Sequence, residues 1–226
     1  MSTVLLVTSL LAAVVTAPDM PVKVTKVTPA AQGSRIQLTN VSERGVTAWA
    51  VATSTTSGDR THREVATADG YLSELTHGLP GASAQLERLS PGEVREISVG
   101  AIPAGATVEI VAAVMDDATA VGDETVIASI FAHRVKERDA LRAVVDSFNA
   151  VLPSQQGPEA LTALRERFSA LAQRDDSVPC RAALDAVQNY SSKTSADDIN
   201  QSLRAYAAFV TKQYELAVKH ATRRSG

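Results

Sequence analysis

The spacing of apolar side chains changes once along this chain, and that change limits the folds open to it. From Pro21 to Met115 apolar residues recur at every second position between turn-forming clusters; after Gly122 they recur at every third or fourth. Alternation marks half-buried strands, whereas a three-to-four spacing marks one face of a helix. The 226-residue chain therefore reads as segregated α+β: an antiparallel β-sandwich followed by an antiparallel helical bundle or long helical hairpin. The expected divisions are residues 1–17, 18–122 and 123–226.

In the first part, Val22, Val24 and Val27 make one strand and Ile36, Leu38 and Val41 a second; Ser42-Glu43-Arg44-Gly45 is a polar turn, from which a hairpin is expected. The run from Val46 to Thr53 puts Val46, Ala48, Ala50 and Ala52 on one face and Thr47, Trp49, Val51 and Thr53 on the other. Trp49, the single tryptophan, is expected in the core between sheets. Pro91-Gly92 occupies the central positions of a type II turn ahead of a strand through Val94 to Val99. Thr107 to Met115 is apolar on both faces and is expected to be a central strand.

Asp123 suits a helix N-cap, and a helix is expected from Glu124 to about Leu152, carrying Ile127, Ile130, Phe131, Leu141, Val144 and Phe148. Its middle, His133 to Asp139, is almost wholly polar, and Arg134, Arg138 and Arg142 form a stripe expected to be a solvated face. A second helix opens at Gly157-Pro158, Asp175 to Ser177 breaks it, a third follows from Pro179, and Ser195 with Asp198 resembles a capping box for the last.

Residues Met1 to Ala17 form an apolar run ending in Val15-Thr16-Ala17, a small-residue pattern like a signal-peptidase site. The run reads as a signal peptide, and the protein as secreted or periplasmic, with no integral membrane span after its removal. The other reading is an ordinary hydrophobic first strand or helix. Cys180 is the only cysteine, which excludes an intrachain disulfide, and it reads as a small buried apolar side chain. A net charge of −3 gives no field that favours nucleic acid as a partner.

Ser54 to Gln85 is rich in turn formers and reads as the least regular stretch, a loop whose Arg60, His62, Arg63 and Glu64 are candidate ligand-binding residues or a solvated polar tip. The acidic turn from Asp116 to Glu124 offers oxygens for calcium through Asp116, Asp117 and Asp123, or is a turn plus a helix cap. His133 and Glu137 share a helix face at a spacing that a metal or proton transfer could use. No nucleophile elbow, zinc-protease motif, phosphate loop or dinucleotide fingerprint is present in the sequence, so no catalytic residue and no cofactor is assigned.

The segments IQLTNVSERGVTAWAV (36–51), LSPGEVREISV (89–99) and VEIVAAVMDDATAVGDETVIASIFAHRVKERDALR (108–142) together resemble a group of uncharacterised exported proteins of acidobacterial type. In that group an Ig-like sandwich runs into a helical tail through a turn of the form D-G-x-x-x-G-D. Here Asp117-Ala118 stands where Asp-Gly is expected. The resemblance implies the architecture and export, and no activity.

Three roles are expected in order. The first is a non-enzymatic envelope or extracellular module that binds another protein or self-associates through its helices. The second is a small-ligand or carbohydrate-binding module using the 54–85 loop, and the third a hydrolase with a site between sandwich and helices.

Overall fold

The computed structural model describes residues 13–14, 19–76, 87–192 and 195–224. The chain divides into two compact units, Met1–Ile130 with Arg224–Gly226, and Phe131–Arg223. The division thus falls inside the first long helix and not at its cap. The apolar N-terminal run lies outside the described residues except for Ala13–Val14.

Among its described residues the first unit holds eight strands: β1 (Ala13–Val14), β2 (Val22–Ala30), β3 (Gly33–Asn40), β4 (Val46–Ser57), β5 (Arg60–Asp69), β6 (Val94–Val99), β7 (Thr107–Met115) and β8 (Ala120–Gly122), with a short helix α1 (Ser73–Thr76) after β5. One sheet is β2-β3-β6; the other is β5-β4-β7, with β8 and β1 both on the far edge of β7. Apart from the two-residue parallel pairing of β1 with β7, the pairings are antiparallel. In immunoglobulin lettering, β2 to β8 take the places A, B, C, C′, E, F and G, giving an ABE sheet against a C′CFG sheet. Val22, Val24, Val27, Ile36 and Leu38 of the first sheet and Trp49, Val51, Val108, Ile110 and Met115 of the second form one buried core.

Trp49 is buried on β4, the C strand, as the alternation predicts. The other face of the second sheet, Ala48, Ala50, Ala52, Ala112 and Val114, is also fully buried. Strand β7 has sheet neighbours on both edges, which its two apolar faces anticipate.

Val24 and Val27 are both buried although three apart, because the register of β2 against β3 shifts between Val24 and Lys26. The extra residue of this bulge returns Val27 to the core face. The hairpin expected at Ser42–Gly45 is a different connection. That turn carries the chain from β3 in one sheet to β4 in the other, and the hairpin of this region is β2–β3. The type II turn at Pro91-Gly92 forms, with Gly92 at φ +72° and Glu93 N–H donating to Ser90 O at 3.0 Å.

The second half of the chain is helical: α2 (Glu124–Val151), α3 (Gly157–Arg174), α4 (Val178–Tyr190) and α5 (Ala196–His220). Asp123 Oδ1 accepts from the N–H groups of Thr125 (3.0 Å) and Val126 (3.3 Å), and Ser195 Oγ accepts from Asp198 N–H at 3.0 Å, so both expected caps form. Within the second unit Phe148 of α2 meets Phe168 of α3 and Tyr206 of α5 edge-to-face, at ring separations of 5.2 and 5.9 Å. Among the described residues no helix is long and apolar enough to cross a membrane.

The expected solvated arginine stripe is corrected at its first member. Arg134 is completely buried; it donates to His220 O at 3.3 Å and lies 5.5 Å from the Phe131 ring. The helical phase explains this, since Ile127, Arg134, Leu141 and Phe148 repeat at two-turn spacing and share one buried face. Arg138 and Arg142 do face outward, in ion pairs with Asp139 and Asp146.

Candidate functional site

The stretch expected to be a loop from Ser54 is largely strand. β4 continues to Ser57, a two-residue turn at Gly58-Asp59 reverses the chain, and β5 returns to Asp69 in unbroken register with β4. Thr, Val and Ala at alternating positions sustain this ladder, and Gly58-Asp59 is turn chemistry that a tight hairpin accepts. Residues 77–86 lie outside the described residues.

Between this hairpin and the sheet opposite lies a cleft of about 420 Å³. One wall is the inner face of β4 and β5; the other is Ile36 with Ile97 and Val99 of β6, continued by Gly100 to Pro103. The register orders the first wall rung by rung: Trp49 opposite Ala68, Val51 opposite Ala66, Thr53 opposite Glu64 and Thr55 opposite His62. Apolar groups thus lie at one end and hydroxyl, carboxylate and imidazole groups at the other, over about 20 Å of strand. A concave, largely apolar space with a few polar groups at its mouth is the usual form of a small-ligand site.

Of the residues that the sequence singles out, His62 and Glu64 line this cleft. Arg60 sits on the turn rung opposite Ser57 and is not among the lining residues. Arg63 projects from the opposite face, where its guanidinium pairs with Asp123 at 3.4 Å. Thr53, Thr55, Ile97, Val99 and Ile102 line the cleft without having been singled out. For Thr53 and Thr55 the signal is the strand alternation of β4, which puts Trp49, Val51 and Thr53 on one face.

The acidic turn is built for local structure. Asp117 accepts from Thr119 Oγ1 (2.6 Å), Thr119 N–H (3.0 Å) and Arg44 (2.6 Å). The Thr119 hydroxyl, then the Thr119 N–H and the Arg44 charge, hold its carboxyl below the usual aspartate range despite partial burial. Asp123 is likewise lowered, first by the Val126 N–H that it caps. Asp116 donates its N–H to Gly45 O. Ala118 takes φ +66°, a left-handed backbone that glycine adopts more easily. Among the described residues no three His, Cys, Asp or Glu side chains stand close enough to hold a metal ion, so Asp116, Asp117 and Asp123 are not brought together as a centre.

In the helical unit, His133 and Glu137 line a separate depression with Lys136 and with Asp175 and Asp176 from the α3–α4 break. Cys180 is buried, and that burial raises its thiol, which fits packing better than reactivity. Burial pushes the Tyr206 hydroxyl up to about 12, with Tyr190 and Asp185 adding to the shift.

No protein-family model matches the chain, and neither the curated proteins nor the solved structures contain a match.

Proposed function

We propose that the chain is an exported binding module whose sandwich takes a small, largely apolar ligand between its two sheets. The observation that carries this reading is the ordered cleft, with Trp49, Val51, Ile97 and Val99 at its inner end and Thr53, Thr55, His62 and Glu64 at its mouth. Export is supported by the apolar run that ends in Val15-Thr16-Ala17. Cleavage after Ala17 would remove β1, whose pairing with β7 is two residues long, and leave the other strand pairings in place.

Because Trp49 is the single tryptophan and lines the cleft, its emission reports occupancy directly. A panel of alkyl, aryl and sugar ligands should separate into members that shift Trp49 emission saturably and members that do not. The reading fails if no apolar member of the panel gives a saturable shift. N-terminal sequencing of protein recovered from the envelope or medium tests export: a chain beginning at or near Pro18 supports it, and an intact Met1 opposes it.

A second reading, a protein-interaction module, has one observation in its favour. Among the described residues β5 is an edge strand whose residues Arg60 to Thr67 are exposed on both faces, and an edge of this kind accepts an added strand. Proline at an outward-facing β5 amide would then abolish partner capture while leaving the Trp49 response to small ligands intact.

A further inference from the structure

We infer that the ligand is a lipophilic amine, a cation at one end of an elongated apolar body. This rests on the cleft reading above and extends it to the chemistry of the head group.

Among the described residues that line the cleft, Glu64 is the only acidic or basic side chain other than His62. It stands on the third rung from the Trp49–Ala68 end, flanked across the ladder by the Thr53 hydroxyl, with His62 and Thr55 on the next rung outward. The basic groups of this region are either paired with other carboxylates or lie beyond His62. Arg95, 6.0 Å from the Trp49 ring, is buried and pairs with Glu93. Arg63 pairs with Asp123 on the opposite face, and Arg35 of the facing sheet pairs with Glu96 at 3.1 Å. Arg60 shares the face of Glu64 but sits beyond His62 at the turn rung.

Among the described lining residues, an apolar body lying along Trp49, Val51, Ile97 and Val99 therefore meets the Glu64 carboxylate before any basic group. An ammonium at that point gains a Coulomb partner and hydroxyl acceptors, whereas a carboxylate head is repelled. The site is open to water, so the preference is modest: about fivefold in affinity for each favourable or unfavourable charge pair. It should shrink as salt is added, since exposed charges are screened over about 10 Å at 0.1 M.

The experiment is a Trp49 fluorescence titration of the full chain with octylammonium, 1-octanol and octanoate at low ionic strength, each below its aggregation concentration. The expected order of affinity is octylammonium, then octanol, then octanoate, with about fivefold between neighbours. Glu64→Gln should bring octylammonium to the affinity of octanol, and this exposed substitution should leave the unfolding midpoint where it was. Equal binding of all three, tightest binding of octanoate, or an ammonium preference that survives E64Q would overturn the inference while leaving the cleft reading in place. Failure of all three to produce a saturable change would overturn both.

Discussion

The two sides of the sandwich treat inward-pointing polar groups in opposite ways. At the β3–β4 corner, Asn40 is fully buried and every polar atom of its side chain is matched. Its Nδ2 donates to Arg44 O (2.7 Å), Leu89 O (3.1 Å) and Ser90 O (3.1 Å), and its Oδ1 accepts from Ser42 N–H and Oγ. Nearby, buried Arg95 lies 6.0 Å from the Trp49 ring, donates to Arg88 O at 2.6 Å and pairs with Glu93. On the β5 side, His62 and Glu64 also face inward, but toward an open cleft. A buried amide without partners is costly, so the corner must be complete to be stable, while the cleft side leaves its polar groups to water or a ligand. The fold thus concentrates specific polar contacts where the sheets are joined and keeps the far side available.

The largest effect should come from the corner. Asn40→Ala removes all five contacts, leaves Arg44 O, Leu89 O and Ser90 O with one remaining donor each (Ser42 Oγ, Val46 N–H and Glu93 N–H), and should lower sandwich stability by about 3 kcal/mol in urea unfolding followed by Trp49 emission.

Glu93 should follow, at about 1.5 kcal/mol for Glu93→Gln. Burial raises this carboxyl, but the Ser90 N–H bond (2.8 Å) and the Arg95 guanidinium together carry it below its ordinary value. A folded-state value below the unfolded one means that the contribution is complete above the unfolded value and is lost as pH falls through the lowered folded one. The wild type should therefore lose stability on acidification below the ordinary glutamate range, and the difference from E93Q should disappear at the acid end.

On the cleft side stability should barely move while binding does. Ala66→Leu fills exposed space beside Val51 and should change stability by under about 0.5 kcal/mol. It should weaken the Trp49 response to octylammonium by about tenfold, because a leucine side chain occupies space that the ligand needs. If A66L destabilised the sandwich as much as N40A, the contrast between the two sides would be broken.

The smallest effect is expected at Ala118→Gly. Relief of the left-handed backbone and loss of a buried methyl oppose each other, so the net change should be a few tenths of a kcal/mol. Ala112→Gly, in the extended β7, should instead be plainly destabilising.

Most of the architecture was open to reading because strand and helix leave different periods. The change of period at Gly122, the Asp123 and Ser195 caps, the Pro91-Gly92 turn and buried Trp49 all depend on local sequence, and all appear where expected. The departures arise where neighbours outside the local window decide. Whether Ser42–Gly45 closes a hairpin or crosses between sheets depends on Asn40 reaching Leu89 and Ser90. The turn-rich look of 54–85 hid a strand pair because Ser and Thr serve both turns and exposed strands. Arg134 looked solvated by its charge and is buried by its phase.

For the cleft, the inward face of β4 was readable through Thr53. The opposing wall on β6 was not, since nothing in one strand names the strand that will face it across a sandwich.

Amide hydrogen exchange, with and without octylammonium, tests the contrast most directly. The corner amides of Val46 and Leu89, which bond each other's carbonyl oxygens at 2.9 Å, should exchange only through global unfolding of the sandwich and should ignore the ligand beyond that global term. The β5 amides paired to β4 should exchange through smaller openings and slow markedly when the ligand is present. Equal protection of the two regions without ligand, or slowing at the corner alone, would contradict the account.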